Sequence, residues 1–303
     1  MTHVAVLYGG ISAEREVSLS TGRGVIAALG EAGFRVTPVE VTQDLAALIA
    51  TLQDARPDVV FNALHGRFGE DGCVQGVLDW LEIPYTHSGL RASAMAMDKA
   101  AAKAVFQAHG LPIAEHRVVT PRELEEADPL ARPYVVKPVN EGSSVGVEIL
   151  RQGDNRRSEI ARGWRFGERV MAEEYIAGRE LTVAVMGDRP LVVTEVGTGH
   201  EFYDYDAKYA DGGSQHTLPA KIPDAVAQAA MDVALRAHGA LGCRGVSRAD
   251  LRYDDATGRL VLLEVNTQPG MTPTSLAPEQ AAYCGIDYQA LCAWLVREAR
   301  HGA

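Results

Sequence analysis

The stretch "VLLEVNTQPGMTPTSL", residues 261–276, decides how this sequence is organised. It begins as an apolar run typical of a strand in a sheet core, but Glu264 and Asn266 interrupt the run, and Pro269 and Gly270 end it. Polar and charged groups in a core strand cost free energy unless they have partners. The partners of these two side chains are therefore expected on a neighbouring strand.

The residues before this strand predict a hairpin. The segment "GVSRADLRYDDATGRLVLLEVN", residues 245–266, contains two strand patterns joined by the polar turn "DDATG". With a five-residue loop over 254–258, three cross-strand pairs follow: Tyr253 with Arg259, Asp250 with Leu262, and Arg248 with Glu264.

This register predicts one polar face and one core face. Because side chains alternate with a period of two, Val261, Leu263 and Val265 point into the core. Two carboxylates about 4 Å apart would repel by roughly 4 kcal/mol at an effective dielectric constant of about 20. A divalent cation such as Mg²⁺ binds carboxylate oxygens and would offset this repulsion; a solvated face with an Arg–Glu pair is the alternative. The polar face carries Arg248, Asp250, Glu264 and Asn266.

Composition limits the classes of function. The 303 residues are 47% hydrophobic, which allows a substantial core divided among two or three domains. A net charge of −11 without a Lys/Arg block excludes a nucleic-acid partner. No run of about 18 apolar residues occurs, and "MTHVAVLYGG" is typical of a strand and not of a secretory signal, so we expect a cytoplasmic protein without a membrane partner. The four cysteines lack metal-binding spacing and are expected to be reduced thiols.

The first ninety residues alternate strand and helix patterns. "HVAVLYGG", "FRVTPVEV" and "PDVVFNALHG" are strand-like, which predicts a parallel βαβ sheet whose strand ends line a ligand crevice. Glu14 and His65 would lie at that rim with Gly9 and Gly10, which are only a fragment of a dinucleotide fingerprint. Glu14 could hold an ammonium group or only favour the helix dipole. His65 could act on a ligand or only form local hydrogen bonds.

A loop rich in glycine and serine marks the middle of the chain. After an alanine-rich helix over 92–110, the segment "YVVKPVNEGSSVGVEIL" places Lys137 at the end of one strand and Ser143 and Ser144 in a loop that returns into another. Backbone amides and hydroxyls in such a loop can bind phosphate oxygens. It is not a P-loop, because the lysine precedes the glycines. A plain hairpin with a surface lysine is the alternative.

Weaker motifs flank this loop. Lys99, in "MDKAAAK", could bring a second cation to the same phosphates, although a surface lysine is the simpler interpretation. In "RVMAEEYIAGRELTVAVM", a strand pair, Glu173 and Glu174 end the first strand, and the connector around Ile176 could face a purine; a solvated strand end is the alternative. Further on, a polar loop of some twenty residues, "GTGHEFYDYDAKYADGGSQHTLPA", precedes a helix over 224–240, and so long a loop is usually functional or disordered.

Seven motifs in order resemble one family. "GGISAEREVSLSTG", "ALHGRFGEDG", "MDK", "VVKPVNEGSSVGV", "FYDYDAKY", "RADL" and "EVNTQPGMTPTSLAP" together resemble D-alanine:D-alanine ligases of the ATP-grasp superfamily, over nearly the whole chain. The resemblance implies a mixed α/β fold of three domains: a βαβ domain over 1–90, a central ATP-grasp subdomain over 91–180, and a C-terminal subdomain over 181–303 with a lid loop over 198–220. It also implies a homodimer.

The resemblance further implies roles for individual residues. ATP would be bound by Lys99, Lys137, Ser143, Ser144, Glu173, Glu174, Ile176, Glu180 and Lys208, and two Mg²⁺ (or Mn²⁺) ions by Asp250, Glu264 and Asn266. Glu14 would hold the first D-alanine, supported by His65, Ser143 and Tyr209. The second D-alanine and the oxyanion would be bound by Arg248, Gly270, Ser275 and Leu276.

Two positions bear on specificity. Glu174 stands where members of the family often have lysine, which is harmless if only the backbone meets adenine. Tyr209 stands where relatives that make D-alanyl-D-lactate tend to have phenylalanine, which favours D-alanine as acceptor. A ligase with D-lactate or D-serine as acceptor and a catalytically inactive nucleotide-binding regulator are the alternatives.

Overall fold

The apolar segments at the start of the chain form a three-stranded parallel sheet. The structure, a computed structural model, describes residues 1–198 and 214–302. The strands β1 (His3–Gly9), β2 (Arg35–Val41) and β3 (Val59–Asn62) lie in the order β2-β1-β3. They are accompanied by the helices α1 (Arg15–Glu31), α2 (Leu45–Ala55) and α3 (Cys73–Trp80). Residues 4–7 of β1 are fully buried, as in parallel sheets covered on both faces, and the βαβ prediction is confirmed.

The alanine-rich segment forms two helices. α4 (Leu90–Met97) ends at Asp98, and α5 (Lys99–Ala108) begins immediately after it. The Asp98 carboxylate accepts hydrogen bonds from the backbone N–H groups of Ala100 and Ala101, at 3.0 Å each, and so caps the new helix. The prediction of one helix over 92–110 was wrong, because apolar periodicity does not register a cap. The break makes Lys99 the first residue of a helix.

A four-stranded antiparallel sheet forms the middle of the molecule. Its strands are β4 (His116–Val119), β5 (Tyr134–Pro138), β6 (Glu148–Leu150) and β7 (Val170–Glu174), in the order β4-β7-β5-β6. The short helices α6 (Pro121–Glu126) and α7 (Arg157–Arg162) contact each other, and residues of both helices belong to the small core of this sheet.

In the last third of the chain, residues 179–198 and 214–302 form a five-stranded antiparallel sheet with three helices. Its strands are β8 (Arg179–Met186), β9 (Arg189–Thr198), β10 (Ser214–Thr217), β11 (Val246–Asp254) and β12 (Arg259–Asn266), in the order β10-β9-β8-β11-β12. The helix α8 (Asp224–Leu241) packs on this sheet, and α9 (Leu276–Tyr283) and α10 (Tyr288–Glu298) connect it to α1. Nowhere in residues 1–198 and 214–302 is a helix long and apolar enough to cross a membrane.

Two predictions of local pairing were wrong. β7 and β8 were expected to pair, but they belong to different sheets. Arg252 on β11 donates hydrogen bonds to the carbonyls of Ile176 and Gly178, at 3.2 and 2.9 Å, and these hold the connector against the C-terminal sheet. The predicted loop over 198–220 also contains a strand, since Ser214 pairs with Thr198 at the start of the β9–β10 ladder.

Candidate active site

A cleft between the central and C-terminal sheets gathers most of the predicted nucleotide residues. Its cavity volume is about 110 Å³. Asn266 lines an adjoining groove that shares Lys99 and Glu264 with the cleft. The cleft itself is lined by ten of the predicted residues, namely Lys99, Lys137, Ser143, Ser144, Glu173, Glu174, Ile176, Glu180, Asp250 and Glu264.

The hairpin β11–β12 has a different register from the predicted one. Asp254 pairs with Arg259, so the turn has four residues instead of five, and a bulge after Asp250 shifts the register once more. The pairs predicted for Tyr253, Asp250 and Arg248 were therefore wrong. Instead, Asp250 lies opposite Glu264 and Arg248 opposite Asn266. The two carboxylates are direct cross-strand neighbours.

The bulge also changes which leucine enters the core. Val261, Leu262 and Val265 are at most 4% exposed, whereas Leu263 is half-buried and lines the cleft. The prediction of Leu263 as a core residue was wrong, because the extra residue at the bulge interrupts the alternation of faces. Leu263 adds an apolar surface to a cleft that is otherwise rich in charge.

Each of the two paired carboxylates has its own cation. Arg248 donates to both oxygens of Asp250 through Nε and Nη2, at 2.8 and 2.7 Å, and Thr182 Oγ1 donates to Asp250 Oδ1 at 2.8 Å. Lys99 Nζ lies 3.2 Å from Glu264 Oε2. The local charge is thus balanced by a bidentate guanidinium on one side and an ammonium on the other.

The donor set of this face fits a hard divalent cation. Asp250 and Glu264 offer carboxylate oxygens from directly paired positions, and Asn266 offers an amide oxygen two residues along the same strand. Within residues 1–198 and 214–302, no group of three or more His, Cys, Asp or Glu side chains is arranged to hold a metal ion. Two carboxylates with an amide match the Mg²⁺ sites in which phosphate and water supply the other ligands.

A buried cluster of charges at the wall of the cleft includes one lysine, Lys103, that the sequence analysis did not single out. Glu173 forms ion pairs with both Lys137 and Lys103, and the side chains of Glu173 and Lys103 are at most 3% exposed. Burial alone would raise the pKa of the Glu173 carboxyl, but the two lysines hold it below its ordinary value. Burial lowers the pKa of Lys103, and Glu173 opposes this effect. The spacing of Lys103 from Lys99, one helical turn, was the only signal available in the sequence.

The loop between β5 and β6, which carries Ser143 and Ser144, lines the cleft and also contacts Glu14, which lies after the first strand of the N-terminal sheet. Ser143 and Ser144 adopt φ values of 51° and 56°. Ser143 Oγ donates a hydrogen bond to Glu14 Oε1 at 2.6 Å. At Gly146, where φ is 69°, an added Cβ would lie 2.5 Å from the ring of Phe166, so only glycine fits there. The loop thus brings Ser143 into contact with Glu14.

His65 is buried and forms hydrogen bonds through both ring nitrogens. Its Nδ1 lies 3.0 Å from Glu70 Oε1 and its Nε2 lies 3.0 Å from Thr21 Oγ1, so both ring nitrogens are engaged. The residue is 5% exposed, and burial raises the pKa of its partner Glu70. His65 lies outside the lining of the cleft.

The turn after β12 brings together most of the residues predicted for the second substrate. Ser275 Oγ lies 2.7 Å from Thr272 Oγ1 and accepts the Thr272 backbone N–H at 3.1 Å. A Cβ on Gly270 would lie 3.0 Å from Ser275 Oγ, so these two residues are close neighbours. Leu276 begins α9 and is 5% exposed in the core. Arg248, Gly270, Ser275 and Leu276 lie outside the lining of the cleft itself.

Comparison with known proteins relates the whole chain to one group of enzymes. Residues 105–297 match the model described as D-ala D-ala ligase C-terminus, and residues 46–88 match D-ala D-ala ligase N-terminus. A curated relative from Acidiphilium cryptum, named D-alanine–D-alanine ligase, is 68% identical and aligned over 99% of both chains. The chain belongs to the D-alanine–D-alanine ligase family.

Other members of the family support the fold. A D-alanine–D-alanine ligase from Granulibacter bethesdensis is 66% identical, with 98% of this chain and 97% of that protein aligned. The crystal structure of D-alanine–D-alanine ligase from Bacillus anthracis complexed with ATP matches with a TM-score of 0.85 at 30% identity. The match covers 98% of this chain and 97% of that one. The expected mixed α/β architecture of the family is therefore confirmed.

Glu174, which the family resemblance places where lysine is frequent, has a structural role in this chain. Its carboxylate accepts a hydrogen bond from Arg259 Nη2 at 2.8 Å, and its backbone N–H donates to the carbonyl of Glu115 at 2.8 Å. The side chain is thus used to join β7 to β12, between the two sheets. Lys208 and Tyr209, the remaining residues expected from the family resemblance, lie outside the described residues.

The buried charge cluster leads to a stability prediction. Glu173→Gln leaves Lys103 and Lys137 without their shared carboxylate, so we expect a loss of about 3–5 kcal/mol in the free energy of unfolding. Lys103→Met is the matched control, because it leaves a one-to-one pair of Lys137 and Glu173 and should cost about 1 kcal/mol or less. Urea unfolding followed by circular dichroism measures both. Equal losses for the two variants would contradict the assignment of Glu173 as the centre of the cluster.

Proposed function

We propose that this protein joins two D-alanine molecules into D-alanyl-D-alanine, with ATP as co-substrate and Mg²⁺ or Mn²⁺ as cofactor. ADP and phosphate are the other products, and the dipeptide serves peptidoglycan precursor synthesis. The observation that carries this proposal is the meeting of a phosphate-type loop, two lysines and two directly paired carboxylates in one cleft. The names of the full-length relatives agree with it.

The nucleotide would lie in the cleft. Lys99 and Lys137 meet the phosphates as point charges, and the loop at Ser143 and Ser144 closes over them. When bound, two divalent cations held by Asp250, Glu264 and Asn266 would neutralise the charge of the phosphoryl group during transfer. Adenine and ribose would be held by Glu173, Glu174, Ile176 and Glu180, and Lys208 would reach the phosphates from the segment outside the described residues.

The first D-alanine would lie at the rim of the N-terminal sheet. Glu14 binds its ammonium group, and Ser143 and Tyr209 fix the geometry, with His65 as support. The substrate carboxylate attacks the γ-phosphorus of ATP, the bond to the β–γ bridging oxygen breaks, and D-alanyl phosphate and ADP form. This step is needed because a free carboxylate is a poor electrophile, whereas an acyl phosphate has phosphate as its leaving group.

The second D-alanine would lie at the turn after β12. Its amine, in the neutral form, attacks the acyl carbon, and the developing oxyanion is stabilised by the Arg248 guanidinium and the Gly270 backbone N–H. The C–O bond to the phosphate then breaks, inorganic phosphate leaves with the bonding electron pair, and the new amide nitrogen loses a proton to solvent. Ser275 and Leu276 contribute to the binding of this substrate. The acyl phosphate must be shielded from water, and the segment 198–220 is proposed to cover it.

The remaining expectations belong to the same proposal. We infer a cytoplasmic homodimer whose three domains span 1–90, 91–180 and 181–303. D-alanine and ATP are the partners, with neither nucleic acid nor membrane.

Release of ADP in the presence of D-alanine alone tests the function. With ATP and Mg²⁺, we expect D-alanine by itself to give ADP and a dipeptide, because one amino acid fills both substrate positions. Parallel reactions add D-lactate or D-serine. No ADP release with D-alanine alone would contradict the proposal, and release only with an added acceptor would identify a ligase with a different second substrate.

A further inference from the structure

A buried pair of amides joins the N-terminal sheet to the turn after β12. Asn62 is the last residue of β3, and Gln268 follows the predicted metal ligand Asn266 by two residues; they are 1% and 2% exposed. Asn62 Nδ2 donates a hydrogen bond to Gln268 Oε1 at 2.7 Å. The two residues are 206 positions apart, so this contact connects distant parts of the chain.

The same two amides hold the loop that carries His65. Gln268 Nε2 donates to the carbonyl of Leu64, and Asn62 Oδ1 accepts the backbone N–H of Leu64 at 3.2 Å. Asn62 Nδ2 also donates to the carbonyl of Gly69 at 3.0 Å. The backbone N–H and the carbonyl of Leu64, the residue directly before His65, are therefore both hydrogen-bonded, and Gln268 is the donor to the carbonyl.

The backbone of Gln268 makes a further contact, with the end of β12. Its N–H donates to Asn266 Oδ1 at 2.7 Å, which sets the orientation of that side chain, and Gly270 follows two residues later. Because the amide of Gln268 donates at one end and accepts at the other, only one orientation satisfies both contacts. A single side chain thus fixes the His65 loop relative to the turn that holds Asn266 and Gly270.

We propose that Gln268 is a positioning residue that sets the spacing between the sites of the two amino-acid substrates. The inference rests on the proposed function, which places the first substrate beside the His65 loop and the second at the turn. A displacement of about 1 Å between reacting groups can cost on the order of 100-fold in rate. Loss of the Gln268 amide also leaves the buried carbonyl of Leu64 without its donor. Because an unsatisfied buried acceptor costs free energy, we expect the loop to shift.

The test compares Gln268→Met with a matched control, Gln75→Met. Gln75 is also a buried glutamine, 1% exposed, and its Nε2 donates to the carbonyl of Gly69 in the same loop at 2.8 Å. We expect Gln268→Met to lower kcat/KM for D-alanine by about 10- to 100-fold. The Kd for ATP with Mg²⁺, measured without D-alanine by calorimetry, should stay within about threefold of wild type, because Gln268 does not line the cleft and its backbone N–H, which holds Asn266, is kept in the variant. Gln75→Met should leave kcat/KM within about twofold.

Amide hydrogen exchange gives a second readout that does not depend on turnover. Peptides covering residues 64–70 should exchange faster in Gln268→Met than in Gln75→Met. If Gln268→Met does not fold, Gln268→Asn, whose amide is one methylene shorter, is measured instead with the same expectations.

The inference is overturned if kcat/KM for D-alanine in the Gln268 variant matches that of the Gln75 control, or if ATP affinity falls by the same factor as kcat/KM. Unchanged exchange in residues 64–70 would also overturn it. A wild-type protein that releases no ADP with D-alanine, yet shows faster exchange on loss of Gln268, would contradict only the proposed function.

Discussion

Glu264→Gln is expected to lower turnover by on the order of a thousandfold, because about 4 kcal/mol of charge stabilisation at the phosphoryl group would be lost. Glutamine has the same shape and keeps an oxygen, but it removes the negative charge from the position opposite Asp250. It also leaves Lys99, 3.2 Å from the Glu264 carboxylate, without that ion pair. ADP release at saturating ATP and D-alanine, over a series of Mg²⁺ concentrations, measures the effect.

The control for this variant is Glu148→Gln. Glu148 is on β6 and forms a surface ion pair with Arg156 at 3.0 Å, so turnover should stay within about twofold. Circular dichroism should give the same spectrum for both variants and for wild type. A rate for Glu264→Gln within tenfold of wild type would remove Glu264 from the metal site.

Arg248→Met is expected to lower dipeptide formation by about 100- to 1000-fold, the usual cost of losing one donor to an oxyanion. The structure adds a second reason, since Arg248 donates to both oxygens of Asp250. Arg248→Lys keeps the charge but cannot form the two parallel hydrogen bonds, so a loss of similar size is expected. Trapping with hydroxylamine separates the steps: the variants should still yield D-alanyl hydroxamate while dipeptide is lost.

Arg156→Met, at the surface of the central sheet, is the control for loss of an arginine and should leave both products unchanged. If hydroxamate and dipeptide fall together in the Arg248 variants, Arg248 acts on the first step through Asp250 and not on the oxyanion. Dipeptide formation within tenfold of wild type would exclude either role.

The shared polar face could be predicted from the sequence even though its register was wrong. The shorter turn moved the pairing by one residue and the bulge moved it by one more, so the total shift at Asp250 is two. A shift of two restores each side chain to its original face, because side chains alternate with the same period. The face was therefore predictable, whereas the direct contact of Asp250 with Glu264 was not.

Contacts between residues that are far apart along the chain could not be predicted from the sequence. Lys103 looks like any lysine on an alanine-rich helix until Glu173, on a strand seventy residues later, is placed against it. Gln268 and Asn62 likewise have no local pattern, since their contact depends on how two sheets meet. The end of α4 at Asp98 differs from these cases, because an aspartate followed by a helix-forming run is itself a local cap signal.

The position of α5 between two sheets has a mechanical consequence. Its first residue reaches Glu264 on the C-terminal sheet, and a lysine one turn later reaches Glu173 on the central sheet. Both contacts depend on a separation of four residues, which brings the side chains to the same side of the helix. Insertion of a single residue between Lys99 and Lys103 would rotate one lysine by about 100° relative to the other. Such an insertion would prevent Lys99 and Lys103 from contacting Glu264 and Glu173 at the same time, so α5 would no longer connect the two sheets that form the cleft. No residue that lines the cleft would have been substituted.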